Sequence, residues 1–169
     1  MEEEKKLIEF CKMNSHLCGI SALLILLYTG MRVGELPSMT IGKTDSGYKY
    51  IECETEKTRK GYAAVRRKIP ISPMLKRVWD MIDFEKAKSA SKKTLSDTKK
   101  KVFPDRHLHE LRYSFISRCK ECGCNLELVM LWDGHEFDKD VRTSKVDRGY
   151  TRYSDEVYFR EINKVEYEL

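Results

Sequence analysis

No stretch of this chain is apolar for long enough to cross a lipid bilayer. The longest apolar run spans residues 20–28, well short of the roughly 20 residues that a membrane-spanning helix needs, and it predicts a buried helix instead. The first residues include Glu2, Glu3 and Glu4, whereas a secretory signal begins with positive charge. We therefore expect a cytoplasmic protein with no membrane partner.

The cysteines lack the regular spacing of a disulfide framework, so we expect reduced thiols. They are Cys11, Cys18, Cys53, Cys119, Cys122 and Cys124. The last three are spaced like part of a zinc site, but a structural zinc ion takes four ligands. The nearest histidines, His109 and His135, fit a different role described below. The sequence therefore predicts no metal and no cofactor.

Neither sign of charge dominates, since 32 Lys and Arg face 27 Asp and Glu for a net charge of +5. The distribution of charge is more informative than this total. Basic residues gather in 57–68 and again in 86–101, where lysines alternate with serines. We interpret residues 86–101 as a solvated linker or a frayed helix end.

The apolar pattern predicts a mainly helical α+β domain with a small antiparallel β-hairpin or sheet. Residues 48–54 and 63–71 are rich in β-forming side chains and flank a basic connection, which is typical of a hairpin. Helical spacing predicts helices over 3–13, 73–82, 107–123 and 126–133, and another that ends at Gly30. A final helix begins after Ser154 and carries an apolar stripe of Tyr158, Ile162, Val165 and Leu169. The length fits one domain, residues 1–169.

A histidine and an arginine share one face of the predicted helix 107–123. His109 and Arg112 lie three residues apart, a spacing that places two side chains on the same side of a helix. The pair joins a group that titrates near neutral pH to a permanent, fork-shaped cation. Such a pair suits a phosphate, since the guanidinium can bind two oxygens while the imidazole moves a proton. His107 lies five residues before Arg112, a spacing that points the two side chains apart on a helix.

Four further places carry residues of related chemistry. Residues 29–36 read TGMRVGEL and contain Arg32 with Glu35 one helical turn away. The others are a hairpin lysine, either Lys57 or Lys60, then Gly134-His135, and then Tyr150 in residues 149–154, which read GYTRYS. Taken alone, Arg32 could be a surface partner of Glu35 and His135 an ordinary loop histidine. In this order and spacing, residues 17–165 resemble the catalytic domain of the tyrosine recombinases, the phage-integrase family.

The resemblance implies the fold of that catalytic domain and site-specific DNA recombination, by integration or excision. A tyrosine attacks the scissile phosphate, forms a 3′-phosphotyrosyl bond and frees a 5′-hydroxyl. The hydroxyl of a partner strand then reverses the step, so neither ATP nor metal is needed. By motif, Tyr150 is the nucleophile, with Tyr153 as the weaker alternative. Arg32 and Arg112 clamp the phosphate. Lys57 is the general acid, with Lys60 as the alternative.

The remaining roles follow from the same resemblance. His109 assists with the tyrosine proton, His135 hydrogen-bonds the phosphate, and Glu35 orients Arg32. Double-stranded DNA is the expected partner, together with further copies of the chain in a DNA-bound tetramer of the full-length enzyme. The basic hairpin is expected to contact DNA through Arg59, Lys60, Arg66, Arg67 and Lys68.

The sequence departs from the family in three respects. Tyr113 follows the second clamp arginine, where the family often has histidine, and residues 136–148 lengthen the interval before Tyr150. The core-binding and arm-binding domains of the family do not occur within residues 1–169, so we expect the catalytic domain alone, from a phage or another prokaryotic mobile element. The alternatives are a type IB topoisomerase and a non-catalytic DNA-binding regulator with the same fold.

Overall fold

The computed structural model describes residues 2–14, 16–55, 66–134 and 153–169, and of Cys18 only the backbone. The elements along the chain are α1 (Glu2–Met13), α2 (Cys18–Thr29), the 3-10 helix η1 (Val33–Ser38), β1 (Thr40–Lys43), β2 (Lys49–Glu54), β3 (Arg66–Pro70), α3 (Pro73–Arg77), the 3-10 helix η2 (Trp79–Met81), α4 (Phe84–Ser89), α5 (Lys92–Val102), α6 (Leu108–Glu121), α7 (Leu126–Asp133) and α8 (Asp155–Ile162). The expected class, mainly helical α+β with a small antiparallel sheet, is confirmed. In the described part of the chain, no helix has the length and apolar character that a membrane span requires.

Helix α2 lies at the centre of the domain. All of residues 20–28 are buried, and a helix that is apolar on every side belongs inside a protein. Helices α4, α5 and α6 pack around it. The helix ends at Gly30, where φ is +66° and an added Cβ would lie 2.6 Å from the ring of Phe115. Only glycine meets both conditions, and the close approach holds the Gly30 carbonyl against α6.

The sheet has three antiparallel strands in the order β1-β2-β3. The pairing of β2 with β3 confirms the predicted hairpin, and its register sets Cys53 opposite Arg67. Strand β1 was not predicted, because its residues are mostly exposed and lack the alternation that marks a half-buried strand. Alternation in β3 buries Arg67 and Ile69 and leaves Arg66 and Lys68 exposed.

The prediction of a solvated linker over residues 86–101 is wrong. These residues form most of α4 and all but the last residue of α5, and the helices are capped by the side chains of Asp83 and Ser91. Leu95 is fully buried, and the buried ammonium group of Lys99 donates to two carbonyl groups in the loop before α6. Lysine has a high helix propensity, and few apolar contacts suffice to dock a short helix whose ends are capped.

Two predicted helices are shorter than expected. Residues 73–82 divide into α3 and η2, and α8 ends at Ile162 although its apolar stripe was expected to stay helical to Leu169. Val165 is nevertheless buried beyond the end of α8. The tail is held by Arg77, which donates to the carbonyl of Tyr167 at 3.0 Å. The C-terminal segment therefore packs on its own domain.

Candidate functional site

Three guanidinium groups and two carboxylates meet where the end of α2, η1, β3, α6 and α7 converge. Four of these side chains are at most 7% exposed, and the side chain of Arg32 is 17% exposed. We call this group the arginine cluster; its members are Arg32, Glu35, Arg67, Arg112 and Asp133. Arg112 interacts electrostatically with Arg32, Glu35 and Arg67, so the cluster brings together Arg32 and Arg112, the two residues predicted to clamp a phosphate, from distant parts of the sequence.

Glu35 holds Arg32 at both its backbone and its side chain. The amide of Arg32 donates to Glu35 Oε2 at 2.7 Å, and Nη1 of Arg32 donates to Oε1 at 3.1 Å. Residues three apart face each other in a 3-10 helix, so this contact follows from the local structure around η1. The expected contact between Glu35 and Arg32 is thus present.

Arg67 binds the other side of the same carboxylate. Its Nη1 and Nη2 donate to Glu35 Oε1 and Oε2 at 2.8 and 2.6 Å, a bidentate pair. Its Nε donates to the carbonyl of Trp132 at 2.9 Å, and Nη1 also reaches the hydroxyl of Thr55 at 3.2 Å. Burial acts to lower the pKa of Arg67, but the hydrogen bonds of Glu35, together with the charges of Cys53, Glu35 and Asp133, outweigh it and raise the pKa. Arg67 therefore stays charged inside the domain.

The structure does not place Arg67 on the hairpin surface, where the sequence put it as a contact to DNA. Its burial follows from the alternation of β3, in which Arg67 shares a face with Ile69. That alternation was visible in the sequence and is the signal that could have identified Arg67 as an internal residue. No comparable local signal marks Asp133 as a partner of Arg112, because the two lie on different helices.

Arg112 is only 2% exposed and lies between the ends of α2 and α7. Its Nη1 donates to the Gly30 carbonyl at 2.6 Å. Its Nη2 lies 3.3 Å from Asp133 Oδ1 but makes no hydrogen bond within the described residues. Burial lowers the pKa of Arg112, with Asp133 opposing and Arg32 adding to the effect. A buried donor without an acceptor costs free energy, so an oxygen brought next to Nη2 would be stabilised.

The arginine cluster carries three positive and two negative formal charges within the described residues. These guanidinium groups are largely buried, and inside a protein the attraction between a cation and an anion is stronger than in water. Arg32 is the most exposed of the three arginines. The cluster is therefore suited to an anion that approaches from the side of Arg32.

The other described site residues lie nearer the surface. His109 is exposed, with its ring edge-on to that of Tyr113 at 4.8 Å between centroids, and no hydrogen bond joins it to the arginine cluster within the described residues. His107 precedes α6, and its amide donates to Glu110 Oε1 at 2.8 Å. Arg66 pairs with a sheet glutamate, and Lys68 lies over a tyrosine ring of the same sheet.

Five residues named from the sequence lie outside the described residues: Lys57, Arg59, Lys60, His135 and Tyr150. The described chain nevertheless stops beside Arg67 before each of the two segments that contain these residues, 56–65 and 135–152. Thr55, which accepts a hydrogen bond from Arg67, precedes the segment 56–65. Gly134 precedes the segment 135–152, and a Cβ added there would lie 2.9–3.1 Å from three guanidinium atoms of Arg67.

Gly134→Ala should lower the free energy of unfolding by more than Gly123→Ala. Both glycines have φ +70°, but an added Cβ at Gly123 meets nothing within 4 Å. Gly123→Ala therefore carries only the backbone cost of about 1–2 kcal/mol, whereas Gly134→Ala also displaces the buried Arg67, adding about 1–3 kcal/mol. Urea denaturation of both variants measures the difference, and equal losses would contradict the close packing of Gly134 on Arg67.

No protein-family model, no curated protein and no solved structure matches this chain. Its function is therefore inferred from the geometry of the arginine cluster and from the sequence motifs.

Proposed function

We propose that this chain is the catalytic domain of a tyrosine recombinase, which cuts and rejoins double-stranded DNA at specific sites through a 3′-phosphotyrosyl intermediate. The proposal depends chiefly on one observation: Arg32 and Arg112 belong to one largely buried cluster, in which three arginines and two carboxylates are found among the described residues. Guanidinium groups bind phosphate oxygens in fixed geometry. A preorganised cation stabilises the charge that develops on a phosphate under attack, and losing one such donor typically costs on the order of 10²–10³ in rate.

In the proposed reaction the phenolic oxygen of Tyr150 attacks the scissile phosphorus. A tyrosine–phosphorus bond forms as the bond from phosphorus to the 5′-oxygen breaks. Lys57, or Lys60 in its place, gives a proton to the departing 5′-oxygen, and His109 accepts the tyrosine proton. His135 hydrogen-bonds the phosphate. The 5′-hydroxyl of a partner strand then attacks the phosphotyrosine, so one phosphodiester replaces another without a supply of energy.

DNA would lie across the side of the domain where Arg32 is exposed. The exposed Arg66 and Lys68, with Arg59 and Lys60 of the same sequence region, would contact backbone phosphates. Such contacts release counterions, so the affinity for DNA should fall steeply as salt rises. Sequence selection would come from groove contacts and DNA shape, and further copies of the chain would assemble on the paired sites.

A covalent adduct tests this proposal directly. Because the target site is undefined, the substrate is a pool of nicked suicide duplexes with randomised sequence, in which the cleaved fragment diffuses away and traps the intermediate. We expect a protein–DNA adduct that survives a denaturing gel, and a released fragment that carries a new 5′-hydroxyl end. DNA binding without any adduct would favour the non-catalytic regulator. Relaxation of supercoils without recombination between two recovered sites would favour the topoisomerase.

Adduct formation should be independent of divalent metal ions. Arginine and histidine side chains meet the phosphate charge in the proposed site, which leaves no step that needs a Lewis acid. The yield of adduct should be the same with excess chelator as with added magnesium, measured on the same denaturing gel. Cleavage that disappears with chelator and returns with magnesium would contradict the recombinase assignment.

A further inference from the structure

We infer that Arg67 is a positioning residue that fixes Glu35, and through it Arg32, beside the chain ends that lead to Lys57 and His135. The inference rests on the proposed function for its chemical consequence. Its geometry concerns only described residues.

Arg32 and Arg67 share the carboxylate of Glu35. Each of its oxygens accepts from both arginines: Oε1 from the Nη1 atoms of Arg32 and Arg67, and Oε2 from the amide of Arg32 and Nη2 of Arg67. The bidentate fork of Arg67 sets the plane of the carboxylate, because two parallel hydrogen bonds allow one orientation. Without Arg67, Glu35 could turn about its own side-chain bonds, and Arg32 would lose its fixed position.

The three arginines of the cluster differ in their exposure and in their hydrogen bonds. Each of the three nitrogens of the Arg67 guanidinium donates at least one hydrogen bond within the described chain, and the side chain is 7% exposed. Arg32 is more exposed, and Arg112 keeps Nη2 without a hydrogen-bond acceptor in the described residues. Arg67 is therefore placed to hold the cluster together, while Arg32 and Arg112 are placed to bind an anion.

Arg67 also lies where the described chain stops before residues 56–65 and before residues 135–152. Arg67 donates to the Thr55 hydroxyl and to the Trp132 carbonyl. Its guanidinium lies so close to Gly134 that a side chain at that position would collide with it. Thr55 and Gly134 are the last described residues before the segments that contain Lys57 and His135. One guanidinium thus binds Glu35 and lies beside both of these chain ends. A lysine would keep the charge but lack the flat fork that these contacts use.

The experiment compares Arg67→Lys with Arg77→Lys. The control changes an exposed arginine of α3 that pairs with Glu166 and has no role in the proposed site. In single-turnover cleavage of a recovered suicide duplex, we expect Arg67→Lys to lower the rate constant about 10- to 100-fold, because misplacing a reacting group by about 1 Å can cost 10²-fold. DNA affinity should change less than twofold. Arg77→Lys should leave the rate constant within twofold of the native value.

Two readouts separate positioning from a general loss of stability. Partial unfolding lowers the final amount of adduct but not the rate constant of the folded fraction, so both are recorded. An unchanged rate constant in Arg67→Lys would overturn the inference. If this variant does not fold, Thr55→Val removes one hydrogen bond to Arg67 and should lower the rate constant several-fold, and native rates there would overturn the inference.

An NMR measurement without DNA keeps this test independent of the proposed function. The Nε–Hε signal of Arg32 reports the surroundings of its guanidinium, and we expect it to shift or broaden in Arg67→Lys but not in Arg77→Lys. If the native protein forms no adduct on any duplex, the recombinase proposal fails and this signal still decides the role of Arg67. An Arg32 signal that is unchanged in Arg67→Lys would overturn the inference even where cleavage is observed.

Discussion

Tyr150→Phe is expected to abolish the covalent adduct and leave DNA affinity nearly unchanged, whereas Tyr153→Phe should keep the adduct. The change at Tyr150 removes only the hydroxyl group that is proposed to attack phosphorus. The sequence pattern favours Tyr150, because Tyr153 then takes the apolar position before the helix cap. The cap is present, since Ser154 accepts a hydrogen bond from the amide of Val157 at the start of α8.

The surroundings of Tyr153 support this choice. Its hydroxyl donates to the carboxylate of Glu127, and this hydrogen bond raises the pKa of Tyr153 above its usual value. A phenol that ionises near pH 10 is already a weak nucleophile at neutral pH, and a raised pKa makes it weaker. Both variants are compared with the native chain on the same suicide duplex. An adduct that survives in Tyr150→Phe and disappears in Tyr153→Phe would reverse the assignment.

The second large effect is expected in stability. Glu35→Ala should lower the free energy of unfolding by about 3–5 kcal/mol, because it leaves the buried Arg67 without its carboxylate partner. Glu52→Ala is the matched control. It also removes the partner of an arginine in β3, but the pair of Glu52 with Arg66 is partly exposed, and exposed pairs contribute about 0–1 kcal/mol. Urea denaturation measures both, and equal losses would contradict the role of Glu35 in the core.

A double variant separates stability from chemistry at the same place. Replacing Glu35 by leucine together with Arg67 by methionine removes the whole buried pair and keeps apolar volume, which is often neutral for stability. We expect the double variant to recover part of the stability that Glu35→Ala loses. It should still fail to cleave, since Arg32 has lost the carboxylate that fixes it. Normal cleavage by this variant would show that neither residue positions the site.

The sequence by itself determined the hairpin and the start of several helices. Ser72 caps α3, Asn125 caps α7 and Gly134 ends α7, and these residue types are favoured at such positions. These signals act within one turn of chain, because a cap satisfies amides or carbonyls only a few residues away. The order of the motifs, from Arg32 to Tyr150, could also be read from the sequence alone. It remains a prediction for the residues outside the described parts of the chain.

The tertiary structure decided which charged side chains lie inside. Residues 86–101 look solvated from composition, yet their helices pack on α2 and bury Leu95 and Lys99. Arg67 reads as one basic residue among several, yet it alone of the β3 arginines turns inward to Glu35. A buried charge is stable only where an oppositely charged or hydrogen-bonding partner lies next to it. Those partners come from distant segments, and only the folded chain brings them together.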